Sequence, residues 1–345
     1  MNAIEPTAAT QISASPDPSL AASGLFAPIE PFDRGELAVS DGHRIYYEQS
    51  GVAQGIAVVM LHGGPGSGCS PMHRRLFDPK VFRVALFDQR GCGRSTPRGS
   101  VANNTTADLI RDIEALRVHL GIDRWLVFGG SWGASLAIAY AAQHRQRCIA
   151  MVLRGTFLTG KADLDWFFAG AGALVPVAWQ QLSQALAINA EPQDPGTATL
   201  VLAQLYECLH NEDQRLASNA ALAWAHWEDA VSSPGRGHGS SSAGTAIRQD
   251  LIDKYRVQAH YLVQQCFLGE ARLLADAARL RDLPVQIVHG RLDTICLPIN
   301  AQRVQRAIPG SVLVWVDGAG HSPYEPGMPQ ALNNALQAAR LEIAR

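Results

Sequence analysis

Gly129-Gly130-Ser131-Trp132-Gly133 is the stretch that decides the fold of this chain, because it stands between an apolar, strand-like run at 125–128 and a helix-like run at 134–140. A G-x-S-x-G pattern in that setting is typical of a sharp turn that lifts the serine hydroxyl clear of the end of a sheet. Small residues flank the serine because the turn leaves no room for side chains, and the following helix directs its free N–H groups at the same point. We therefore predict that Ser131 is a nucleophile; an ordinary glycine-rich turn is the alternative interpretation.

Two polar residues follow later strand-like runs, as a serine nucleophile requires. The run 284–290 predicts a short buried strand with Asp293 just past its end, and the run 312–316 predicts another, with His321 in the loop after it. Open α/β sheets carry their sites beyond the carboxyl ends of their strands, so we expect Ser131, Asp293 and His321 to meet there. Imidazole is the base that takes the hydroxyl proton, and a carboxylate on its other nitrogen fixes the tautomer.

Each of these assignments has a rival. Asp317 is a second acid close to His321, although an Asp-Gly pair more often makes a turn. His289 is a second base, although its place at a strand end favours packing or a backbone hydrogen bond. Asp293 is itself a residue type that is common in turns. The predicted triad is therefore Ser131, Asp293 and His321, with Asp317 and His289 as open alternatives.

A glycine-rich loop, 62–68, follows the apolar, strand-like run 57–61. Glycine lets backbone N–H groups approach a substrate closely. We predict that the N–H of Gly64, in this loop, and the N–H of Trp132, directly after the serine, form an oxyanion hole. A phosphate cradle is the rival interpretation, but the loop matches neither the dinucleotide-binding nor the P-loop glycine pattern.

Composition narrows the class of protein. The 345-residue chain has a formal net charge of −2 and is 47% hydrophobic and 17% charged, which is typical of a compact globule without a nucleic-acid or anionic-membrane partner. Its six cysteines form no C-x-x-C pair, which argues against a disulfide framework or a zinc site and suits a reducing compartment. No run of about 18 apolar residues is present, and the first 25 residues lack the features of a secretory signal. We therefore expect a cytoplasmic protein with no membrane partner, metal or other cofactor.

Strand-like and helix-like runs alternate as far as residue 156, which predicts an α/β fold with a mostly parallel, doubly wound sheet. The alternation then stops, and residues 157–280 are typical of an inserted helical cap. The predicted organisation is a mobile N-terminal tail at 1–28, a catalytic domain at 29–156 and 281–345, and a helical cap domain at 157–280. A polar, glycine-rich run at 234–242 predicts a mobile loop within the cap.

Six motifs together resemble the prolyl aminopeptidases, or proline iminopeptidases, of the α/β-hydrolase superfamily. The motifs are LHGGPG (61–66), FDQRGCGRS (87–95), GGSWGA (129–134), LRGTF (153–157), HGRLD (289–293) and GAGHS (318–322). The resemblance extends from about residue 29 to about residue 329. It implies the α/β-hydrolase fold and the release of N-terminal proline from small peptides through a serine acyl-enzyme, without a metal.

The resemblance also implies how the substrate's free amino terminus is held. A carboxylate in the cap would bind the cationic nitrogen. Trp227-Glu228 matches a Trp-Glu pair of the family, which makes Glu228 the candidate anchor. Gln258 stands where the family carries a second cap glutamate, so the chain departs from the pattern there, with Asp229 and Glu325 as acids that could compensate.

The pyrrolidine ring of proline would need an apolar slot in the cap. Phe157 and Phe167 match the aromatic residues that line this slot in the family. Leu262 stands where an aromatic residue is usual, which implies a wider slot. All three are also consistent with plain core packing.

Two other functions stay open. The neutral amide of Gln258 favours a different acyl-transfer enzyme on the same scaffold, namely an esterase, an amidase or a lactonase. A binding protein without catalysis is the third possibility, which the complete set of candidate groups disfavours. The expected partners are small peptides with a free N-terminal proline, and nothing in the sequence points to a particular oligomeric state.

Overall fold

The computed structural model describes residues 24–235 and 247–343. Residues 1–23 of the predicted tail and residues 236–242 of the predicted cap loop lie outside the described residues. At the end of the tail segment, Phe26 donates its N–H to the Arg75 carbonyl at 2.9 Å and accepts a hydrogen bond from Arg75 Nε at 2.8 Å. Within the described residues, no helix has both the length and the apolar character that a membrane span needs.

An eight-stranded sheet organises the described residues. Its strands are β1 (Asp33–Ala38), β2 (Arg44–Gly51), β3 (Ile56–Leu61), β4 (Phe82–Phe87), β5 (Trp125–Gly130), β6 (Cys148–Arg154), β7 (Val285–Gly290) and β8 (Val312–Val316). Their order across the sheet is β1-β2-β4-β3-β5-β6-β7-β8. The β1–β2 and β2–β4 pairs are antiparallel and every other pair is parallel. The prediction of a mostly parallel α/β sheet is confirmed.

Helices surround the sheet within the described residues. They are α1 (Pro71–Arg74), α2 (Thr106–His119), α3 (Trp132–Gln143), α4 (Lys161–Phe168), α5 (Pro176–Ala185), α6 (Thr197–Leu209), α7 (Gln214–Ser232), α8 (Gln249–Val263), α9 (Glu270–Ala278), α10 (Pro298–Ala307) and α11 (Met328–Ile343). Helix α2 shows how local sequence sets such an element: the Thr105 N–H donates to the Asp108 carboxylate at 2.9 Å, and the Asp108 N–H donates to the Thr105 hydroxyl. This reciprocal pair satisfies two donors that the first turn leaves free.

Both faces of the sheet are buried. Val59 and Leu61 of β3 belong to one apolar cluster, and Val58 and Met60 belong to another. Since successive strand residues point to opposite faces, the two clusters lie on opposite sides of the sheet. Helix α3 packs on β5 in the first cluster, and α11 packs on β6 and β7 in the second. Coverage on both sides explains why the central strands are continuous apolar runs.

Helices α4 to α9 all lie between β6 and β7, where the sequence predicts the cap. The loop after β7 joins them to the sheet. Trp166 of α4 donates its indole N–H to the Thr294 carbonyl at 2.8 Å, and the Thr294 hydroxyl donates to the Val231 carbonyl of α7 at 2.5 Å. These bonds tie the inserted helices, which we call the cap, to the loop at the carboxyl end of β7.

Candidate active site

Ser131 lies at the turn between β5 and α3, with a φ of 57° and a ψ of −124°. This φ is uncommon for a residue other than glycine and stores backbone strain. The surroundings leave no room for a side chain two positions before or after the serine: a Cβ at Gly133 would lie 2.0 Å from the Leu61 carbonyl oxygen, and one at Gly129 would lie 2.1 Å from the Gly133 oxygen. Both glycines are therefore required by space, and the turn presents Ser131 at the edge of the sheet.

Asp293 and His321 form a hydrogen-bonded pair in the loops after β7 and β8. His321 Nδ1 lies 2.8 Å from Asp293 Oδ2, while Oδ1 accepts the N–H groups of Ile295 and Cys296 at 3.0 and 2.9 Å. Burial raises the pKa of Asp293, but His321 and the hydrogen-bond donors outweigh burial and hold that pKa below its ordinary value. Asp293 is therefore ionised at neutral pH and faces a protonated Nδ1.

The described structure does not join Ser131 directly to this pair. No hydrogen bond links Ser131 Oγ to His321 among the described residues, and Cys296 Sγ lies 4.0 Å from that oxygen. His321 Nε2 faces Arg154 Nη1 at 3.4 Å instead. Hydrogen bonds of this kind are often loose without substrate and tighten in the complex. Ser131 and His321 nevertheless line one cavity, so the three predicted residues meet at one edge of the sheet.

Arg154 is a site residue that the sequence analysis did not assign. Its side chain is buried at the end of β6, lines the cavity, and donates through Nη1 to the His321 carbonyl at 2.5 Å. Its Nε has no hydrogen-bond partner among the described residues. Burial lowers the pKa of Arg154, against the attraction of Asp293. The available signal was its position within LRGTF (153–157), at the carboxyl end of a predicted strand.

Two backbone N–H groups stand free beside Ser131. The loop 62–68 lies against the serine, since a Cβ at Gly63 would stand 3.3 Å from Ser131 Cβ and 3.8 Å from Oγ. The Gly64 N–H donates to no group among the described residues. Trp132 is the first residue of α3, so its N–H has no partner inside the helix. This arrangement fits the two donors expected of an oxyanion hole.

The rival residues are placed differently. His289 is fully buried and does not line the cavity; its Nε2 lies 2.8 Å from a backbone carbonyl oxygen and 3.4 Å from Asp293 Oδ2. Asp317 is 86% exposed and pairs with Arg291 at 2.5 Å. Glu325 accepts two backbone N–H groups of the loop that carries His321, at 2.5 and 2.8 Å, so it supports that loop. The geometry therefore favours His321 and Asp293 over these alternatives.

A cavity of about 580 Å³ lies between the sheet edge and the cap. Eight of the predicted site residues line it: Gly64, Ser131, Phe157, Phe167, Glu228, Gln258, Leu262 and His321. Asp293 does not line the cavity, and the Trp132 indole donates to Gln89 Oε1 at 2.9 Å. The structure thus brings candidates from the sheet and from the cap into one chamber.

Glu228 of α7 carries a carboxylate that lines this chamber. Its Oε2 accepts hydrogen bonds from Lys254 Nζ at 3.0 Å and from the Tyr255 hydroxyl at 2.8 Å, and its Oε1 accepts one from Gln258 Nε2 at 2.6 Å. Burial raises the pKa of Glu228, but Lys254 and the hydrogen bonds hold it below its ordinary value. Glu228 is therefore ionised at neutral pH.

Lys254 and Tyr255 are two further chamber residues that the sequence analysis did not assign. Both lie on α8, on the turn before Gln258, and both line the cavity. Lys254 is four residues before Gln258, and residues at this spacing share one helix face. That spacing was the signal that could have placed Lys254 beside the predicted amide.

The predicted apolar wall lines the same chamber. Phe167 packs edge to face on Trp227, with ring centroids 6.3 Å apart, and the Trp227 indole donates to the Phe167 carbonyl at 3.0 Å. Phe157 and Leu262 also line the cavity, and Leu262 is 5% exposed. Because Trp227 precedes Glu228 on α7, this packing fixes the carboxylate beside the apolar wall.

Comparison with known proteins agrees with the resemblance that the sequence motifs show. The chain matches the family model of the α/β-hydrolase fold over residues 56–327. It is 42% identical over 314 residues to a proline iminopeptidase of Xylella fastidiosa, and the match covers 88% of this chain and 95% of that protein. It is 41% identical over 313 residues to a proline iminopeptidase of Arabidopsis thaliana, with coverage of 88% and 79%.

Solved structures share the fold at lower identity. A proline iminopeptidase-related protein of Thermus thermophilus aligns with a TM-score of 0.56 at 20% identity, covering 90% of this chain and 98% of that one. An esterase of Rhodococcus aligns with a TM-score of 0.55 at 20% identity and the same coverage. Likeness at this level shows the fold alone.

Proposed function

The chain belongs to the proline iminopeptidases of the α/β-hydrolase family, and on that premise we propose that it releases N-terminal proline from small peptides. One observation carries the proposal: Glu228, an ionised carboxylate, lines the same cavity as Ser131. An exopeptidase needs such an anion to hold the cationic amino terminus at a fixed distance from the nucleophile. The apolar wall of Phe157 and Phe167 suits the pyrrolidine ring beside it.

In the first half of the reaction, the His321 ring turns its Nε2 from Arg154 to Ser131 Oγ and takes the hydroxyl proton. Oγ then bonds to the prolyl carbonyl carbon, and the N–H groups of Gly64 and Trp132 bind the oxyanion. His321 gives the proton to the amide nitrogen of the leaving peptide, the C–N bond breaks, and a prolyl ester remains on Ser131.

In the second half, a water molecule gives a proton to His321 while its oxygen attacks the ester carbonyl carbon. The bond to Ser131 Oγ breaks, Oγ regains the proton from His321, and free proline leaves. Asp293 keeps Nδ1 of the imidazole protonated and stabilises the imidazolium in both halves. Protons balance over the full cycle.

The test compares kcat/KM for a prolyl anilide and for its N-acetylated form. The blocked nitrogen carries no charge and loses the charge-assisted bond to Glu228, so we expect a preference of about ten- to a hundredfold for the free amine. A Ser131→Ala variant serves as the blank for both substrates. Equal turnover of the two anilides by the wild type would overturn the proposal.

A second candidate is an esterase, amidase or lactonase on the same scaffold. The observation that favours it is that Lys254 already compensates the charge of Glu228. Because esters are more reactive than anilides, the comparison uses two esters with the same leaving group. Such an enzyme would hydrolyse a short-chain acyl ester at least as fast as the prolyl ester, whereas an exopeptidase for proline would prefer the prolyl ester.

We also propose a cytoplasmic location for this activity. All six cysteines are free thiols, and five of them are buried. Unpaired thiols suit a compartment that keeps cysteine reduced, where small peptides are available for trimming. Fractionation of the source cells, followed by the prolyl anilide assay, tests this placement.

A further inference from the structure

The Glu228 carboxylate pairs with the ammonium group of a lysine of the chain itself. Lys254 Nζ lies 3.0 Å from Glu228 Oε2 and 4.3 Å from the centroid of the Tyr255 ring. We propose that Lys254 competes with the substrate's amino terminus for Glu228 and thereby sets a high KM for unblocked substrates. This inference rests on the proposed function, since it assigns a specificity-determining residue to the same site.

The acceptor positions of Glu228 are nearly filled. An ionised carboxylate offers about four lone-pair positions. Lys254 and the Tyr255 hydroxyl take the two on Oε2, and Gln258 takes one on Oε1. A substrate amine therefore finds one free position, unless Lys254 withdraws and opens a second one. Tyr255 and Gln258 occupy their positions on Glu228 with uncharged donors. Lys254 brings a positive charge, which also offsets the negative charge by which Glu228 attracts a cation.

Two other carboxylates of the described residues, those of Asp163 and Asp229, also line the chamber. Asp163 accepts the Leu158 N–H at 2.7 Å and the Asn300 amide at 2.7 Å, so both of its oxygens are engaged. Asp229, which lines the cavity, follows Glu228 on α7 and lies about 100° round the helix from it. Glu228 pairs with a lysine ammonium at 3.0 Å, so we assign the competition to Glu228.

Lys254 also has space into which its ammonium can withdraw. Its side chain is 28% exposed. It borders a second cavity, of about 250 Å³, together with Asp250 and Asp253. Asp250 pairs with Arg248 and Asp253 with Arg98, so the second cavity gives the displaced ammonium space rather than an unpaired carboxylate. Because this displacement accompanies binding, the cost falls on substrate affinity and leaves the later bond-breaking steps unchanged.

The test measures kcat and KM for the prolyl anilide with a Lys254→Met variant, which keeps the length of the side chain and removes its charge. We expect KM to fall about tenfold, because one charge-assisted competitor is lost, while kcat stays within about twofold. KM for the N-acetylated anilide stays unchanged. Lys254→Arg, which keeps the charge, retains the wild-type KM, and Lys254→Gln repeats the test if the methionine variant fails to fold.

The matched control is Lys161→Met. Lys161 is also a cap lysine in an ion pair, with Asp165 at 2.5 Å, but it is 69% exposed and does not line the cavity. Lys161→Met should leave kcat and KM for the prolyl anilide unchanged. An unchanged KM in Lys254→Met would overturn the inference. A raised KM would also overturn it, since it would mean that Lys254 supports amine binding, for example by keeping Glu228 ionised, instead of competing with the amine.

A binding measurement separates failure of this inference from failure of the proposed function. Pyrrolidine, a cyclic secondary amine that is cationic at neutral pH, stabilises the protein against heat if it binds at Glu228. The Kd of pyrrolidine from this shift should fall about tenfold in Lys254→Met, whether or not prolyl peptides are the substrate. If wild type hydrolyses free and blocked anilides equally while the pyrrolidine Kd falls as expected, the proposed function fails and the competition by Lys254 stands.

Discussion

Asp293→Asn provides the sharpest test of the predicted triad, because the structure dictates how the new amide must orient. Asp293 Oδ1 accepts two backbone N–H groups, at 3.0 and 2.9 Å. An amide nitrogen cannot accept hydrogen bonds, so the asparagine oxygen takes that position and its NH₂ group takes the position of Oδ2. That NH₂ then faces His321 Nδ1, which must become an acceptor.

The change therefore selects the wrong tautomer of His321. With Nδ1 unprotonated, Nε2 carries the proton and cannot take one from Ser131 Oγ. We expect kcat to fall by about 10³ to 10⁴, which corresponds to about 4 to 5.5 kcal/mol of transition-state stabilisation. KM should change little, because neither Asp293 nor the reoriented amide lines the cavity.

The assay is steady-state hydrolysis of the prolyl anilide at neutral pH, with thermal unfolding to confirm that the variant is folded. Asp317→Asn is the matched control, because Asp317 is the rival acid and its carboxylate is 86% exposed. We expect its kcat to stay within about twofold of the wild type. If Asp293→Asn kept a tenth of the wild-type kcat, or if Asp317→Asn lost as much, the assignment of Asp293 would be refuted.

Three further perturbations follow from the geometry. Gly133→Ala would place a Cβ 2.0 Å from a backbone carbonyl oxygen of β3, so we expect the free energy of unfolding, measured with urea, to fall by about 3 kcal/mol or more. A urea midpoint equal to that of the wild type would contradict the tight turn. Asp88 accepts hydrogen bonds from Arg94 Nε and the Arg94 N–H at 2.7 and 2.8 Å, and although burial raises the pKa of Asp88, these donors hold it below its ordinary value. The contribution of Asp88 to stability is therefore complete above its unfolded pKa of about 4 and is lost as the pH falls towards its folded pKa. Below pH 4, the Tm of the wild type should therefore drop more steeply than the Tm of Asp88→Asn. Parallel Tm curves for the two proteins would rule this out. Glu228→Gln should raise KM for the free prolyl anilide by about ten- to a hundredfold and leave the acetylated anilide unchanged, and an equal effect on both substrates would remove Glu228 from amine binding.

The sheet and the Ser131 turn could be predicted because they depend on local patterns. β3 and β5 are apolar runs buried on both faces, and glycine alone fits where β3 closes on the turn at Gly133. The positions of Asp293 and His321 needed only one further rule, that parallel strands end at the same edge of a sheet.

The partners of Glu228 could not be predicted in this way. Lys254 and Tyr255 lie on α8, whereas Glu228 lies on α7, and no local spacing encodes how these two helices meet. Arg154 was missed for a similar reason. An arginine after an apolar strand usually extends into solvent, and its burial here depends on the His321 loop, which comes much later in the chain.

The proposed bond-breaking groups and the proposed substrate-selecting groups come from separate stretches of the chain. Ser131, Asp293 and His321 stand on loops of the sheet, whereas Glu228 and Lys254 stand on helices inserted between β6 and β7. Mutations confined to the insertion can therefore redirect which molecules are admitted while the hydrolytic apparatus persists. Evolution can diversify such a scaffold by drift, duplication or replacement within one contiguous part of the gene.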